Sequence, residues 1–243
     1  QFTPRSYLLT GLLAGSGSSG PRFRNNDVTR DRVSRNDVTL GYEFVTDGLI
    51  ISDLNYRWLV TDNLAVMVGT EGVNMTTAFR GPNRVESAAT GPLSLFSQRN
   101  PILNIGFGHA GLAVDWQFAK RASLQAIYAS NKPANPAKGS GLFDGNTTTA
   151  VQLLLTPIDT LDLSLYYVNN YSSNGCLLSS VGDECLTAVN STTKQSQPLQ
   201  TNAVGATVNC QISQGITLGA WGGYTNSCLL YTSDAADDYL RVD

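Results

Sequence analysis

Three glycines, Gly106, Gly108 and Gly111, give the stretch ILNIGFGHAG the pattern G-x-G-x-x-G directly after an apolar run. In dinucleotide-binding proteins this pattern holds a pyrophosphate, but only where a helix follows whose N-terminus faces the phosphates. Here the next residues, LAVDWQF, alternate between large apolar side chains and small or polar ones, which is the period of a β-strand. We therefore expect no nucleotide site. The glycines are expected where a long connection enters a strand, since bulges and close backbone approaches are common there.

The chain has one histidine, His109, and it lies among these glycines. Hydrolytic catalysis would need a base within reach of a nucleophile or an activating carboxylate. A zinc site would need clustered cysteine and histidine residues. The sequence has neither pattern, so we interpret His109 as a loop residue and expect no enzymatic activity, no metal site and no cofactor.

Two of the four cysteines, Cys176 and Cys185, lie in one predicted connection, SNGCLLSSVGDECLT. In an oxidising compartment such a pair is expected to form a disulfide that pins an extracellular loop. Two free thiols are the alternative. Cys210 is expected within a strand, and Cys228 beyond the last strand.

The low fraction of charged residues distinguishes this chain from an ordinary soluble domain. Charged residues make up 14% of the 243 residues, against roughly 25% in ordinary soluble domains. No apolar run approaches the roughly 20 residues of a membrane helix, and the net charge of −3 argues against a nucleic-acid partner. Low charge without long apolar runs is typical of a transmembrane β-barrel, whose apolar residues occupy alternate positions. A soluble β-sandwich is the alternative.

Period-two alternation predicts an all-β, antiparallel chain. The predicted strands are 5–14, 36–45, 49–60, 63–72, 110–118, 122–130, 148–156, 160–171, 201–210 and 215–225. Their length, about ten residues, matches the roughly 9–11 residues that a tilted strand needs to cross a bilayer. A porin with an open lumen needs roughly 16–18 strands. The chain is therefore predicted to form an incomplete transmembrane barrel of porin type, whose sheet does not close on itself.

The connections between these strands alternate in length. Tight turns are predicted at 61–63, 119–121, 157–159 and 213–215, and long connections at 73–100, 131–147 and 172–200. Outer-membrane barrels alternate in this way, with short periplasmic turns and long extracellular loops. Two connections break the rule, because 15–35 is too long and 45–48 is too short.

Side chains on a strand point alternately to its two sides, and these two sets, here called the two phases of each predicted strand, differ in polarity. Aromatic residues on the apolar phase are expected to form one girdle at each membrane interface. Those beside the tight turns are Tyr56, Trp58, Trp116 and Phe118, and those at the opposite ends are Tyr42, Phe44, Tyr128, Tyr167, Tyr171 and Tyr224. The opposite phase is predicted to line a pore with Asp37, Thr39, Glu43, Asp53, Asn55, Arg57, Glu71, Asp115, Gln117, Gln125, Gln152, Asp162 and Ser164. Six of these are acidic and one is basic, which favours cations.

The long connection 73–100 has two interpretations. It either folds inward and narrows the pore or forms an ordinary solvated external loop. Its charged residues, and therefore the candidates for a constriction, are Arg80, Arg84, Glu86 and Arg99. If the connection folds inward, its three arginines act against the cation preference of the wall.

Three stretches carry a resemblance to a known family: LSLFSQRNPIL, GHAGLAVDWQFAKRASLQAIYAS and NPAKGSGLFDGNTTTAVQLLLTP. They resemble the cyanobacterial iron-uptake porins, which are related to the OprB-type carbohydrate porins, and the resemblance extends over about residues 36–226. It implies a passive diffusion channel in the outer membrane for inorganic ions, iron included, and small hydrophilic solutes. The partners implied are outer-membrane lipid and the ions or solutes in transit, and a homotrimer is one assembly compatible with such a channel.

Two alternatives to this function stay open. The first is a carbohydrate-selective porin of the OprB type. The second is a β-rich surface adhesin or structural protein without a pore.

The last residues differ from the rest. The segment 228–243, CLLYTSDAADDYLRVD, has no period-two pattern and looks like translated sequencing-adapter read-through. Residues 1–227 are accordingly interpreted as a porin barrel segment and residues 228–243 as a non-native tail. A natural interfacial tail is the alternative.

Overall fold

Nine strands in the described part of the chain form one antiparallel sheet. The computed structural model describes residues 3–15, 48–81, 91–92, 95–106, 108–177, 188 and 196–230. The strands are β1 (Ser6–Gly15), β2 (Gly48–Thr61), β3 (Leu64–Glu71), β4 (Ala110–Ala119), β5 (Ala122–Ser130), β6 (Thr147–Ile158), β7 (Leu161–Ser172), β8 (Leu199–Ser213) and β9 (Ile216–Leu229). They lie side by side in chain order. The prediction of an all-β, antiparallel chain is confirmed.

The first two described strands, β1 and β2, are neighbours in the sheet. Strand β1 pairs directly with β2, from Ser6 opposite Trp58 to Gly15 opposite Gly48. The predicted strand 36–45 therefore does not lie between them in the sheet, and residues 36–45 themselves are outside the described residues. Because β1 and β2 are adjacent, residues 16–47 join two neighbouring strands, and the two apparent exceptions to the alternation disappear.

Short and long connections now alternate along all nine strands. The short ones are the two-residue turns 62–63, 120–121, 159–160 and 214–215, and the long ones are 16–47, 72–109, 131–146 and 173–198. Because consecutive strands are antiparallel, all four short turns lie at one end of the sheet and all four long connections at the other. The outer strands β1 and β9 do not pair with each other, so the described sheet is open, as predicted.

The buried face of the sheet carries many polar side chains beside its apolar ones, and the exposed face is largely apolar. Along β7 every second side chain is buried, and this set includes Asp162, Ser164, Asn170 and Ser172. The alternate side chains of the same strand include Leu165, which is 53% exposed. In a water-soluble sheet the apolar side is buried and the polar side is solvated, so the exposed apolar and the buried polar side chains of β7 both depart from that pattern.

Within the described residues, four short helical turns lie in the long connections: α1 (Met75–Ala78), α2 (Leu95–Gln98), a 3-10 helix (Pro101–Asn104) and α3 (Gly141–Asp144). Helix α1 begins at Asn74, whose side-chain oxygen accepts from the Thr77 backbone N–H at 3.0 Å. Thr77 returns a bond to the Asn74 backbone, which completes a capping box. None of the described helices has the length and hydropathy needed to span a membrane.

The apolar core lies between the inner face of the sheet and the connection 72–109. From the connection come Val73, Met75, Phe79, Ile102 and Ile105. They pack against a row of inward strand residues that includes Met67, Ala113, Ile127, Ala150, Val168 and Ala203. The connection is therefore held on the inner face by burial of its own apolar side chains.

The last strand runs further than the sequence predicts. Strand β9 continues to Leu229, with Cys228 opposite Gln200 and Leu229 opposite Leu199. The boundary between residues 227 and 228 therefore falls inside a strand, because partners on β8 extend the pairing past the point where the alternation ends. Residues 231–243 of the predicted tail lie outside the described residues.

Candidate functional site

The inner face of the sheet carries rows of aligned side chains from neighbouring strands. One row follows the strand register from Ala65 on β3 to Tyr166 on β7, through Asp115, Gln125 and Gln152. Side chains directly opposite each other in an antiparallel sheet point to the same side. The period-two pattern therefore identified a real polar row, because it assigned Asp115, Gln125 and Gln152 to one face.

Two glutamines of this row hold the end of the inserted segment 72–81. The Arg80 backbone N–H donates to Gln125 Oε1 at 2.9 Å, and the Arg80 carbonyl accepts from Gln152 Nε2 at 2.9 Å. Gln152 Nε2 also donates to Gln125 Oε1 at 2.9 Å. Both glutamines are fully buried. Further along the segment, the Val73 N–H donates to the His109 carbonyl at 3.0 Å.

The side chain of Arg80 binds the wall of the sheet. Its Nε lies 2.5 Å from Asp115 Oδ2, and its Nη2 donates to Asp115 Oδ1 at 3.0 Å. The described part of this connection continues for one residue after Arg80, to Gly81. Of the two interpretations of 73–100, this geometry corresponds to the inward one for the part that can be described.

Several of the predicted pore-lining residues are buried. They are Asn55, Gln125, Gln152, Asp162 and Ser164, and their pore-lining role stays a prediction. For Gln125 and Gln152 the cause of burial is the inserted segment, which covers them. The period of a strand indicates on which side of the sheet a residue lies, but not what packs against that side. Asp53, Arg57, Glu71, Asp115 and Gln117 keep partial exposure.

The described acidic residues of the predicted wall have different partners. Asp115 pairs with Arg80, and Glu71 contacts the ring Nδ1 of His109. Asp53 accepts from the Ser52 hydroxyl at 3.0 Å. Asp115 therefore lies against a guanidinium, which reduces the charge that this carboxylate contributes to attracting cations.

The other residues predicted for the pore, the constriction, the aromatic girdles and the disulfide lie partly within and partly outside the described residues. Arg99 is partly buried beside α2. Gln117 Nε2 donates to the Lys120 carbonyl at 3.2 Å, at the short-turn end. Asp37, Thr39, Glu43, Arg84, Glu86, Tyr42, Phe44 and Cys185 lie outside the described residues. Cys176 is disulfide-bonded, whereas Cys210 and Cys228 are free.

The glycine pattern has a packing role where the inserted connection reaches β4. Gly106 has a φ of +83°, a conformation that favours glycine. At Gly111, an added Cβ would lie within 3.0 Å of the backbone of Tyr128 and Ala129. A strand, not a helix, follows the pattern, so the site lacks the helix N-terminus that binds a pyrophosphate.

Sequence reasoning missed several residues of the inner face. Tyr166 crosses over Gly205, and its hydroxyl is hydrogen-bonded to Thr207 Oγ1 at 3.2 Å. Asn100 Nδ2 donates to the Gly222 carbonyl at 3.1 Å and so attaches the inserted connection to β9. Tyr166 lies two residues after Ser164, so the same period-two phase could have included it. Asn100 carries no such signal, because its contact depends on the fold of the connection.

The outward face is apolar and carries aromatic residues. In β3–β9, which are fully described, every outward position is apolar, small or uncharged polar. Trp58, Trp116 and Phe118 are exposed near the short turns, and Tyr167 and Tyr224 are exposed further toward the long connections. Within the described residues, no group of three or more His, Cys, Asp or Glu side chains could hold a metal ion.

Comparison with known proteins yields two relatives from cyanobacteria. An uncharacterized protein of Synechocystis sp. is 30% identical over 163 residues, which cover 65% of this chain and 28% of the relative. An uncharacterized protein of Nostoc sp. is 28% identical over 181 residues, which cover 70% of this chain and 31% of the relative. The chain thus spans less than a third of the length of these curated relatives. No family model and no solved structure matches the chain.

Proposed function

We propose that this chain forms part of the wall of an outer-membrane channel, through which inorganic ions and small hydrophilic solutes diffuse passively. The observation that carries the proposal is the combination of buried polar side chains on one face of the sheet with an uncharged, largely apolar outward face. Its buried face includes Asn55, Gln125, Gln152 and Ser164. Its outward face has no charged residue in β3–β9. A bilayer stabilises such an outward face, whereas water does not.

The connections and strand lengths support the same proposal. Strands β2 and β4–β9 have 9 to 15 residues, enough to cross the hydrocarbon core when tilted. All four two-residue turns lie at one end of the sheet, as periplasmic turns do in outer-membrane barrels. An edge-free barrel needs strands in addition to β1–β9, since β1 and β9 remain unpaired with each other.

The inserted segment 72–81 is the proposed constriction. It lies on the inner face, and its end is held by Gln125, Gln152 and Asp115. The Arg80 side chain is 54% exposed and so adds a positive charge next to the wall carboxylate. We propose that this pair brings the channel close to equal permeability for cations and anions at this point.

Iron and carbohydrate as permeants rest on the family resemblance alone. The two relatives come from Synechocystis and Nostoc, which is consistent with a resemblance to cyanobacterial porins, but their names give no function. The proposal therefore commits to small ions and hydrophilic solutes as a class.

The complete protein, purified and added to a planar lipid bilayer, tests the channel. We expect discrete, ohmic conductance steps in KCl, because a fixed polar passage conducts in both directions. The same preparation after heat denaturation is the control. Stable insertion without any conductance steps would contradict the proposal and favour a non-pore surface protein.

A further inference from the structure

A cavity of about 390 Å³ opens on the inner face, between strands β1–β4 and the inserted segment. This volume lies within the range of small-molecule sites, roughly 300–1,000 Å³. The lining residues that matter here are Tyr7, Arg57, Leu59, Met67, Arg80 and Asp115. The cavity therefore combines an apolar wall with several charged groups.

Cationic groups outnumber anionic ones around this cavity. Arg5, Arg57 and Arg80 line it, whereas Asp115 is the only lining carboxylate among the described residues. Arg5 pairs with Asp62 at the short turn, and Arg80 pairs with Asp115. Arg57 has no carboxylate partner among the described residues, so its charge is left for a ligand.

The surroundings of Arg57 fix its orientation. Its Nε donates to Asn55 Oδ1 at 3.0 Å, and its guanidinium carbon lies 5.9 Å from the centroid of the Tyr7 ring. Asn55 is itself buried, which holds the acceptor in place. One of the five guanidinium N–H groups is thereby used, and the terminal nitrogens remain able to donate to an anion.

We propose that this cavity binds a small organic carboxylate. A guanidinium fork matches a carboxylate in geometry and binds it through two parallel hydrogen bonds. Leu59, Met67 and Tyr7 supply an apolar surface for the rest of the molecule. A cation is disfavoured, because Arg80 neutralises the single lining carboxylate. The inference deepens the proposed function, since the site lies beside the inserted segment, but its test does not depend on conductance.

Benzoate is the probe, with benzamide as a neutral molecule of the same shape. Binding of each to the full chain in detergent micelles is measured by isothermal titration calorimetry at low salt. We expect saturable benzoate binding that weakens as salt rises and no detectable benzamide binding. Equal binding of the two probes, or no benzoate binding, would overturn the inference.

Substitutions at Arg57 and Asp115 should change the affinity for benzoate in opposite directions. Arg57→Gln should weaken benzoate binding at least roughly tenfold, because a charge-assisted hydrogen bond is lost, and Arg57→Lys should restore part of it. Asp115→Asn should tighten benzoate binding, because it frees Arg80 and removes the lining negative charge. Arg121→Gln is the matched control, since Arg121 pairs with Asp159 at a short turn and does not line the cavity.

The outcomes separate this inference from the channel proposal. Benzoate binding that is unchanged in Arg57→Gln, or weakened in Asp115→Asn, contradicts the carboxylate site, even if conductance is normal. Benzoate binding that follows the predicted order supports the site, even if the complete protein shows no conductance. A circular dichroism spectrum with retained β-structure verifies that each variant is folded.

Discussion

The guanidinium of Arg80 contacts both carboxylate oxygens of Asp115, with Nε 2.5 Å from Oδ2 and Nη2 3.0 Å from Oδ1. The pair joins the end of the inserted segment to β4. It also places an arginine of the connection against one of the acids that sequence reasoning assigned to a cation-attracting wall. The charge of the wall and the charge of the inserted segment therefore cannot be considered separately.

Breaking this pair from either side should shift ion selectivity in opposite directions. Arg80→Gln leaves Asp115 unpaired, so the complete protein should become more permeable to cations. Asp115→Asn leaves Arg80 unpaired, so it should become more permeable to anions. Reversal potentials in a KCl gradient measure both shifts. A shift of the same sign in the two variants would contradict the assignment.

Gln152 should control how firmly the inserted segment is held. Gln152→Leu keeps the approximate size of the side chain but removes the donor to the Arg80 carbonyl and to Gln125 Oε1. Loss of an intramolecular hydrogen bond typically costs about 0.5–1.5 kcal/mol. We therefore expect a looser segment and a larger single-channel conductance. Gln117→Leu, near the short turns, should leave the conductance unchanged, and equal effects of the two variants would refute the role of Gln152.

An arginine on the outward face should destabilise the protein in a bilayer. Leu165 is 53% exposed, and in a water-soluble protein such a surface substitution changes stability by only about 0.5 kcal/mol. On a lipid-facing strand the cost of Leu165→Arg rises to about 2–4 kcal/mol near the midplane. Urea unfolding in phospholipid vesicles measures the difference. Thr149→Arg, at an outward position near the long connections, is the control and should cost less.

Gly111 should not accept a side chain. An added Cβ would lie within 3.0 Å of the Tyr128 and Ala129 backbone, which cannot move without disturbing the pairing of β4 with β5. We expect Gly111→Ala to destabilise the protein by about 1–3 kcal/mol, as overpacking does. Nothing lies within 4 Å of a Cβ added at Gly222. Gly222→Ala should therefore be neutral or slightly stabilising, and identical unfolding midpoints for the two variants would contradict the packing role.

Most of the sheet could be predicted from the sequence, because a half-buried strand repeats every two residues. The prediction for 122–130 coincides with β5, and the one for 110–118 ends one residue before β4 does. The predicted strand 36–45 lies outside the described residues. Alternation reveals a strand-like pattern but not its neighbours, so it could not show that β1 pairs directly with β2, from Ser6 opposite Trp58 to Gly15 opposite Gly48.

The candidate site could be predicted in part. The pattern assigned Gln125 and Gln152 to the inner face, but it could not show that Arg80 would cover them. That contact depends on burial of Val73, Met75 and Phe79 within the connection, which follows no strand period. For the same reason, the cavity beside Arg57 could not be anticipated, since it forms between the strands and the connection.

Tryptophan fluorescence distinguishes a sheet whose outward face alone contacts lipid from one that contacts lipid on neither face or on both. Trp116 is outward and 47% exposed, whereas the Trp221 ring lies 4.5 Å from the Phe96 ring of the inserted connection. Two variants each retain one of these tryptophans, with phenylalanine at the other two positions. Both are reconstituted into vesicles whose acyl chains carry bromine. We expect strong quenching of Trp116 and little quenching of Trp221, whereas equal quenching, or none at Trp116, would contradict the account.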